Sequence, residues 1–245
     1  MSLQAGRMAG VAKNLEKDPF IVTFVETRST VAISYTGGGY GSSSFIDNVV
    51  QLSMKAGAAK IKIQYDASEY GSTNDGHLGI GVSGKAGAVN YWASYNNGTA
   101  DGNNSSLTTS QSNMKLGGAM KFGKVKVSLN YTSMDKDGSS TTFPVNDATD
   151  SISLGANMGF GNGLSGNVGF ATRSGDVAAD DATFIRVAIM KMLNKGTSMN
   201  TGYNTTDYDV TGTASSYILG DGRVVRFDGL FIILILIYTD SLSYF

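Results

Sequence analysis

Cysteine is missing from this 245-residue chain, and histidine and tryptophan occur once each and proline twice. Without cysteine there is no disulfide scaffold and no thiolate-ligated metal site. The single histidine, His77, leaves little for imidazole-based catalysis or metal binding. Charge is also scarce, at 16% of residues with a net of −1, so the basic footprint that nucleic acid requires is absent. No run of about 20 apolar residues occurs, which excludes a membrane-spanning helix. Residues Met1 to Phe20 lack the apolar core of a secretory signal, so none is expected to open the chain. The Leu, Glu and Lys that fill soluble helices are thin as well. Plentiful instead are 32 Gly, 12 Tyr and 11 Phe, a mixture suited to short strands and turns.

Strict alternation recurs from Ser29 to about Tyr208. Ile61, Ile63 and Tyr65 share one face, while Lys60, Lys62, Gln64 and Asp66 share the other. Val125–Tyr131 divides in the same way, as does Val89–Asn96. Ile152, Leu154, Ala156, Met158 and Phe160 form another such face. A period of two means strands, and the chain is expected to be all-β. Tight turns are expected at Ala56-Gly57-Ala58, Lys85-Ala86-Gly87, Phe122-Gly123-Lys124, Gly161-Asn162-Gly163 and Leu193-Asn194-Lys195-Gly196. Longer polar loops separate them: Gly37–Ile46, Glu69–Gly76, Asn97–Ser112, Lys136–Ala148 and Ser174–Ala182. Short and long connections in turn describe an antiparallel up-and-down barrel. Its strands, roughly 8–11 residues long, approach the 9–11 that a tilted strand needs to cross a bilayer.

Aromatic residues add a second regularity. Tyr35, Tyr65, Tyr95, Tyr131, Phe170 and Tyr203 are expected to end the strands that rise into long loops, with Phe122 and Phe160 beside the tight turns. Rings at both levels suit the two interfaces of a membrane. Ile61, Ile63, Val125, Val127, Leu129, Ile152 and Leu154 are then expected to face lipid.

Motifs that invite chemistry have plainer readings. Gly79-Ile80-Gly81-Val82-Ser83-Gly84 fits a dinucleotide fingerprint, and with Lys85 it also fits a phosphate loop, but Ala86 stands where a magnesium-binding hydroxyl belongs. Both motifs need a helix directly after the glycines; the alternating stretch Ala88–Tyr95 occupies that place instead. Gly161–Gly166 repeats the fingerprint at another turn. No G-x-S-x-G elbow accompanies His77, and Asp135-Lys136-Asp137-Gly138 lacks the later acidic ligands of a calcium loop. The expectation is no catalytic residue, no metal and no cofactor.

Charges on the polar face are more informative. Lys55, Lys60, Lys62, Lys115, Lys121, Lys126, Arg173 and Arg186 project with the polar sets, against Asp66, while Asp75, Asp101, Asp135, Asp137, Asp147, Asp176, Asp180 and Asp181 fall in the loops. The eight bases are the candidate pore-lining residues, and a charged wall sets ion selectivity.

Three stretches resemble the Gram-negative general porin family: Asp47–Gln51 with Lys60–Tyr65, Leu193–Ser198 leading to Thr201-Gly202-Tyr203, and the hairpin rhythm between them. The resemblance implies a trimeric transmembrane β-barrel of about 16 strands around a water-filled channel. Some 11–12 strands would be present here, about four being absent before the first. It implies outer-membrane lipid and small polar solutes and ions as partners, and an outer-membrane location. Gly37–Ile46 would stand as the constriction loop, without that loop's usual acids. Three segments are expected: 1–28 without defined structure, 29–215 carrying the barrel, and 216–245 an atypical apolar tail containing GLFIILILIY at 229–238. Phe245 matches the family's terminal aromatic, but Thr239, Ser241 and Ser243 replace the alternating apolar residues before it. Two rivals stand beside the porin: a non-channel barrel acting as adhesin or small enzyme, with apolar inward residues, and a soluble β-rich binding protein, which needs no aromatic girdles.

Overall fold

In the computed structural model the chain is described over residues 1–11, 45–67, 76–101, 108–138, 149–176, 181–194, 197–208, 223–227 and 230–234. Thirteen strands follow one another in a single antiparallel sheet whose spatial order equals the chain order. They are β1 (Ser2–Ala9), β2 (Phe45–Ala56), β3 (Ala59–Ala67), β4 (Gly76–Ala86), β5 (Val89–Asp101) and β6 (Thr108–Phe122). After these come β7 (Val125–Gly138), β8 (Thr149–Gly161), β9 (Leu164–Gly175), β10 (Ala182–Asn194) and β11 (Thr197–Tyr208). Two short strands, β12 (Arg223–Phe227) and β13 (Leu230–Leu234), close the series. The up-and-down topology is therefore as the sequence implies. Among the described residues the sheet has two edges, β1 and β13.

The tight turns fall where glycine permits them. Gly57, Gly87 and Gly123 each open a two-residue connection with φ between 57° and 59°, the left-handed first position of a type II′ hairpin. The β8–β9 turn instead places Asn162 (φ 49°) and Gly163 (φ 73°) both in that region, as a type I′ turn requires. Its Gly163 carbonyl also accepts the Met192 amide at 2.8 Å, which ties the turn to β10. The fifth turn, Lys195-Gly196, lies outside the described residues.

Several details differ from the sequence expectation. β1 lies within the segment 1–28 and pairs with β2 from Ser2↔Ser53 to Ala9↔Phe45. Only Leu3 and Met8 are large and apolar in it, so the alternation is faint. Residues 12–44, with Ser29, Tyr35 and most of Gly37–Ile46, lie outside the described residues; Phe45 and Ile46 open β2. Most strands are longer than 8–11 residues: β6 has 15, β7 has 14, and β5, β8 and β10 have 13 each. They consume the ends of the expected loops, since β5 runs on to Asp101 and β6 begins at Thr108. Segment 216–245, expected as a tail apart from the barrel, contributes β12 and β13 to the sheet, with β12 pairing β11 from Ser198↔Arg226 to Asn200↔Val224.

Candidate pore-lining face

Register assigns each side chain to one of two faces, and burial tells the faces apart. On one, Gln51, Gln64, Ser94, Asn96, Asn113, Lys115, Ser128, Asn130, Ser153 and Asn167 are buried. On the other, Tyr65, Ile80, Tyr95, Leu116, Leu129, Ile152, Leu154, Val168, Phe170 and Ile185 are exposed. β8 shows the alternation cleanly, with Thr149, Ser151, Ser153 and Gly155 covered and Asp150, Ile152 and Leu154 exposed. A soluble sandwich or barrel hides its apolar face. Here the polar face is covered and the apolar one is open, which suits hydrocarbon outside and water inside.

The exposed face changes character at one level. Ala59 to Tyr65, Val89 to Tyr95, Val125 to Tyr131, Leu164 to Phe170 and Thr197 to Tyr203 are each six residues, counted from the first residue of the strand. That is about 20 Å along each strand. Past these rings the exposed side turns polar: Asn97 on β5, Ser133 and Asp135 on β7, Thr172 and Ser174 on β9, Thr205 and Asp207 on β11. The aromatics do not end the strands, contrary to expectation; they mark a boundary that the strands cross. Tyrosine suits such a boundary because its ring is apolar and its hydroxyl polar. The Tyr131 hydroxyl donates to Asp150 Oδ1 at 2.9 Å, and Asn97 Nδ2 donates to the Tyr95 hydroxyl oxygen at 3.2 Å. At the tight-turn end Phe122 and Phe160 are more than half exposed, a second ring level. All seven side chains expected to face lipid lie on this face: Leu129, Ile152 and Leu154 are about half exposed, while Ile61, Ile63, Val125 and Val127 are less so.

On the covered face short polar side chains link neighbouring strands. Gln51 Nε2 donates to Gln4 Oε1, Gln64 Nε2 donates to Gln51 Oε1, and Gln64 Nε2 also reaches the Ala9 carbonyl, each at 2.9 Å. Asn157 Nδ2 donates to Asn167 Oδ1 at 2.6 Å across β8–β9. Trp92 lies over Gly117 so closely that any β-carbon at position 117 would overlap its indole. Asn96 and Asn113 face each other across β5–β6, both buried, and neither amide group has a protein partner.

All eight candidate bases share this covered face, but they form two tiers and not a continuous ladder. Lys55 and Lys60 are direct cross-strand partners beside the β2–β3 turn, Lys62 sits opposite Ser53, and Lys121 faces Lys126 beside the β6–β7 turn. Lys55, Lys60, Lys121 and Lys126 are exposed and Lys62 partly so. The second tier lies seven to nine residues from the turns, and its members are covered: Lys115 is 2% exposed, Arg173 6% and Arg186 1%. The Arg173 guanidinium stands 5.6 Å from the Phe184 ring centroid, in reach of a cation–π attraction. Sequence reasoning missed Lys85, which is exposed, opposes Asn90, and completes the turn-level tier. Its signal was the alternation Gly81, Ser83, Lys85, which the phosphate-loop pattern obscured. That pattern has no phosphate site here, because Gly79–Lys85 is the interior of β4 and the next element is another strand.

A description of the Gram-negative porin family matches residues 1–211. The chain belongs to that family. No curated protein matches the sequence. Solved structures of the same fold include an anion-selective porin from Comamonas acidovorans, 14% identical, TM-score 0.62, over 92% of this chain and 72% of that one. Salmonella typhi OmpF, solved with daunomycin, is 14% identical with TM-score 0.65 over 91% of this chain and 72% of that one. Outer-membrane OmpT of Vibrio cholerae is 12% identical with TM-score 0.64 over 92% and 74%. The porin is an outer-membrane β-barrel protein.

Proposed function

We infer that this porin forms a water-filled channel through which small polar solutes and ions diffuse down their gradients. The observation that carries the reading is the inversion of the faces, polar and hydrogen-bonding inside, apolar outside between two levels of rings. Passage of this kind calls on no covalent chemistry and no cofactor. A non-channel barrel serving as adhesin or enzyme would fill its interior with apolar side chains; this inner face carries Val49, Trp92 and Phe184, but Gln, Asn, Ser, Thr, Lys and Arg outnumber its large apolar residues.

Lys55, Lys60, Lys62, Lys121 and Lys126, joined by Lys85, form a basic collar at the tight-turn end, and Lys115, Arg173 and Arg186 form the upper tier. Together they line the channel and favour anions modestly, since each charge is screened beyond about 8 Å at physiological salt. The Comamonas acidovorans relative is itself named anion-selective, which supports the direction. Three copies assemble, as in the trimer form of Vibrio cholerae OmpT. Proteoliposome swelling tests the channel: entry of small sugars should be fast and should slow with solute size. Swelling no faster than in protein-free vesicles would end the reading.

A further inference from the structure

The lipid-facing wall is not smooth. On its outer side, near the tight turns of β7–β10, lies a groove of about 370 Å³ lined by Val125, Ala156, Phe160, Gly166, Val187 and Ile189 among others. Its depth comes from two small residues set among larger ones, Ala156 on β8 and Gly166 on β9. A β-carbon at Gly166 would approach the Phe160 ring to 2.9 Å, so the ring closes one side of the slot. Phe160, Ile189 and Val187 remain exposed, and they offer a hydrocarbon chain contact on several sides at once. Dispersion contacts of that kind are individually small and collectively large.

Two cations stand at the turn end of this slot. Lys191 shares the outward side of β10 with Val187 and Ile189, and its ammonium donates to the Asn162 carbonyl at 2.5 Å. Lys124 is exposed in the β6–β7 turn, immediately before the groove residue Val125. An ammonium has three donors, so the Asn162 contact leaves Lys191 capacity for an anion. Apolar slot and cationic rim together match one amphiphile: an acyl chain with a phosphate at its end.

We propose that this groove is a specific seat for an anionic glycerophospholipid of the leaflet at the tight-turn side, its chain over Ala156 and Gly166 and its headgroup at Lys191 and Lys124. The seat depends on the barrel's place in the outer membrane and not on conduction. Full-chain protein refolded in detergent is titrated with phosphatidylglycerol or phosphatidylcholine and read by native mass spectrometry. One phosphatidylglycerol should be retained in preference to phosphatidylcholine. Lys191→Glu should lower its occupancy about fivefold, the weight of about 1 kcal/mol per basic side chain at an anionic lipid surface, without changing phosphatidylcholine. Ala156→Leu, which adds bulk to the lipid face and not to the interior, should fill the slot and lower both. Should Lys191→Glu prevent folding, Lys191→Gln reads the same headgroup term. Equal retention of the two lipids, or occupancy indifferent to the Lys191 and Ala156 variants, overturns the proposal. So does a change in the number of associated protein copies with no change in bound lipid, which would make the groove a contact between copies.

Discussion

The Tyr131 hydroxyl donates to the Asp150 carboxylate at 2.9 Å across β7–β8, at the level where the outer face passes from apolar to polar. Ile152, the direct partner of Tyr131, lies on the apolar side of that level, and Asp150, opposite Ser133, lies on the polar side. The pair fixes one point on the edge of the lipid belt. Tyr131→Phe should cost about 1 kcal/mol, typical of one net hydrogen bond, in urea unfolding from vesicles. A cost near zero would mean that water serves Asp150 as well as the phenol does.

The same level predicts how the outer face tolerates charge. Leu154→Arg, inside the belt, should destabilise by about 2–4 kcal/mol, whereas Ser133→Arg, just beyond it, should cost about 0–1 kcal/mol. Equal penalties in vesicle unfolding would show that the rings do not mark the hydrocarbon boundary.

Trp92 gives an optical test of the inner face, because it is the only tryptophan in the chain. The indole lies against Gly117, so Gly117→Ala must push it off the wall. Its emission should move to longer wavelength as the ring meets water, with destabilisation of about 1–3 kcal/mol, as for an overpacked site. Unchanged emission would contradict this placement.

Among the described residues β1 pairs with β2 alone, and the glutamine ladder supplies part of its attachment. Gln64→Leu removes the donor to both Gln51 and the Ala9 carbonyl. Amide exchange in Ser2–Ala9 should then accelerate by about tenfold or more, from about 1–3 kcal/mol for the acceptors left unmatched, while exchange in β7–β9 stays as it was. Equal exchange rates in β1 before and after the change would remove the ladder from the account.

What the sequence made legible was local. A period of two and glycine at a turn act over a few residues, so the faces of β3, β5, β7 and β8 and the turns at Gly57, Gly87 and Gly123 were readable without coordinates. Strand ends were not. Beyond Tyr95 and Tyr131 both faces turn polar, the alternation fades, and strand becomes indistinguishable from loop. β1 escaped notice because its few apolar side chains give little contrast. β13 escaped because an apolar run carries no period, and β12 because its five residues, Arg223–Phe227, are too few to show one. The eight bases could be assigned to a face, yet their division into an exposed collar and a covered tier depends on register. Lys85 was hidden inside a motif from another chemistry. Trp92 over Gly117, Asn96 opposite Asn113 and the Ala156–Gly166 groove are products of cross-strand pairing, which one strand read alone cannot reveal.

Planar-bilayer recording in a KCl gradient reads both the aqueous channel and the bias of its inner bases toward anions. Stepwise ohmic conductance is expected, with a reversal potential displaced modestly toward that of chloride, shrinking as salt rises. Replacing Lys55, Lys60, Lys121 and Lys126 with Glu should shift it toward potassium. No conductance above the bare bilayer would contradict the channel; a clear cation preference, or a reversal potential indifferent to those four changes, would contradict the basic collar.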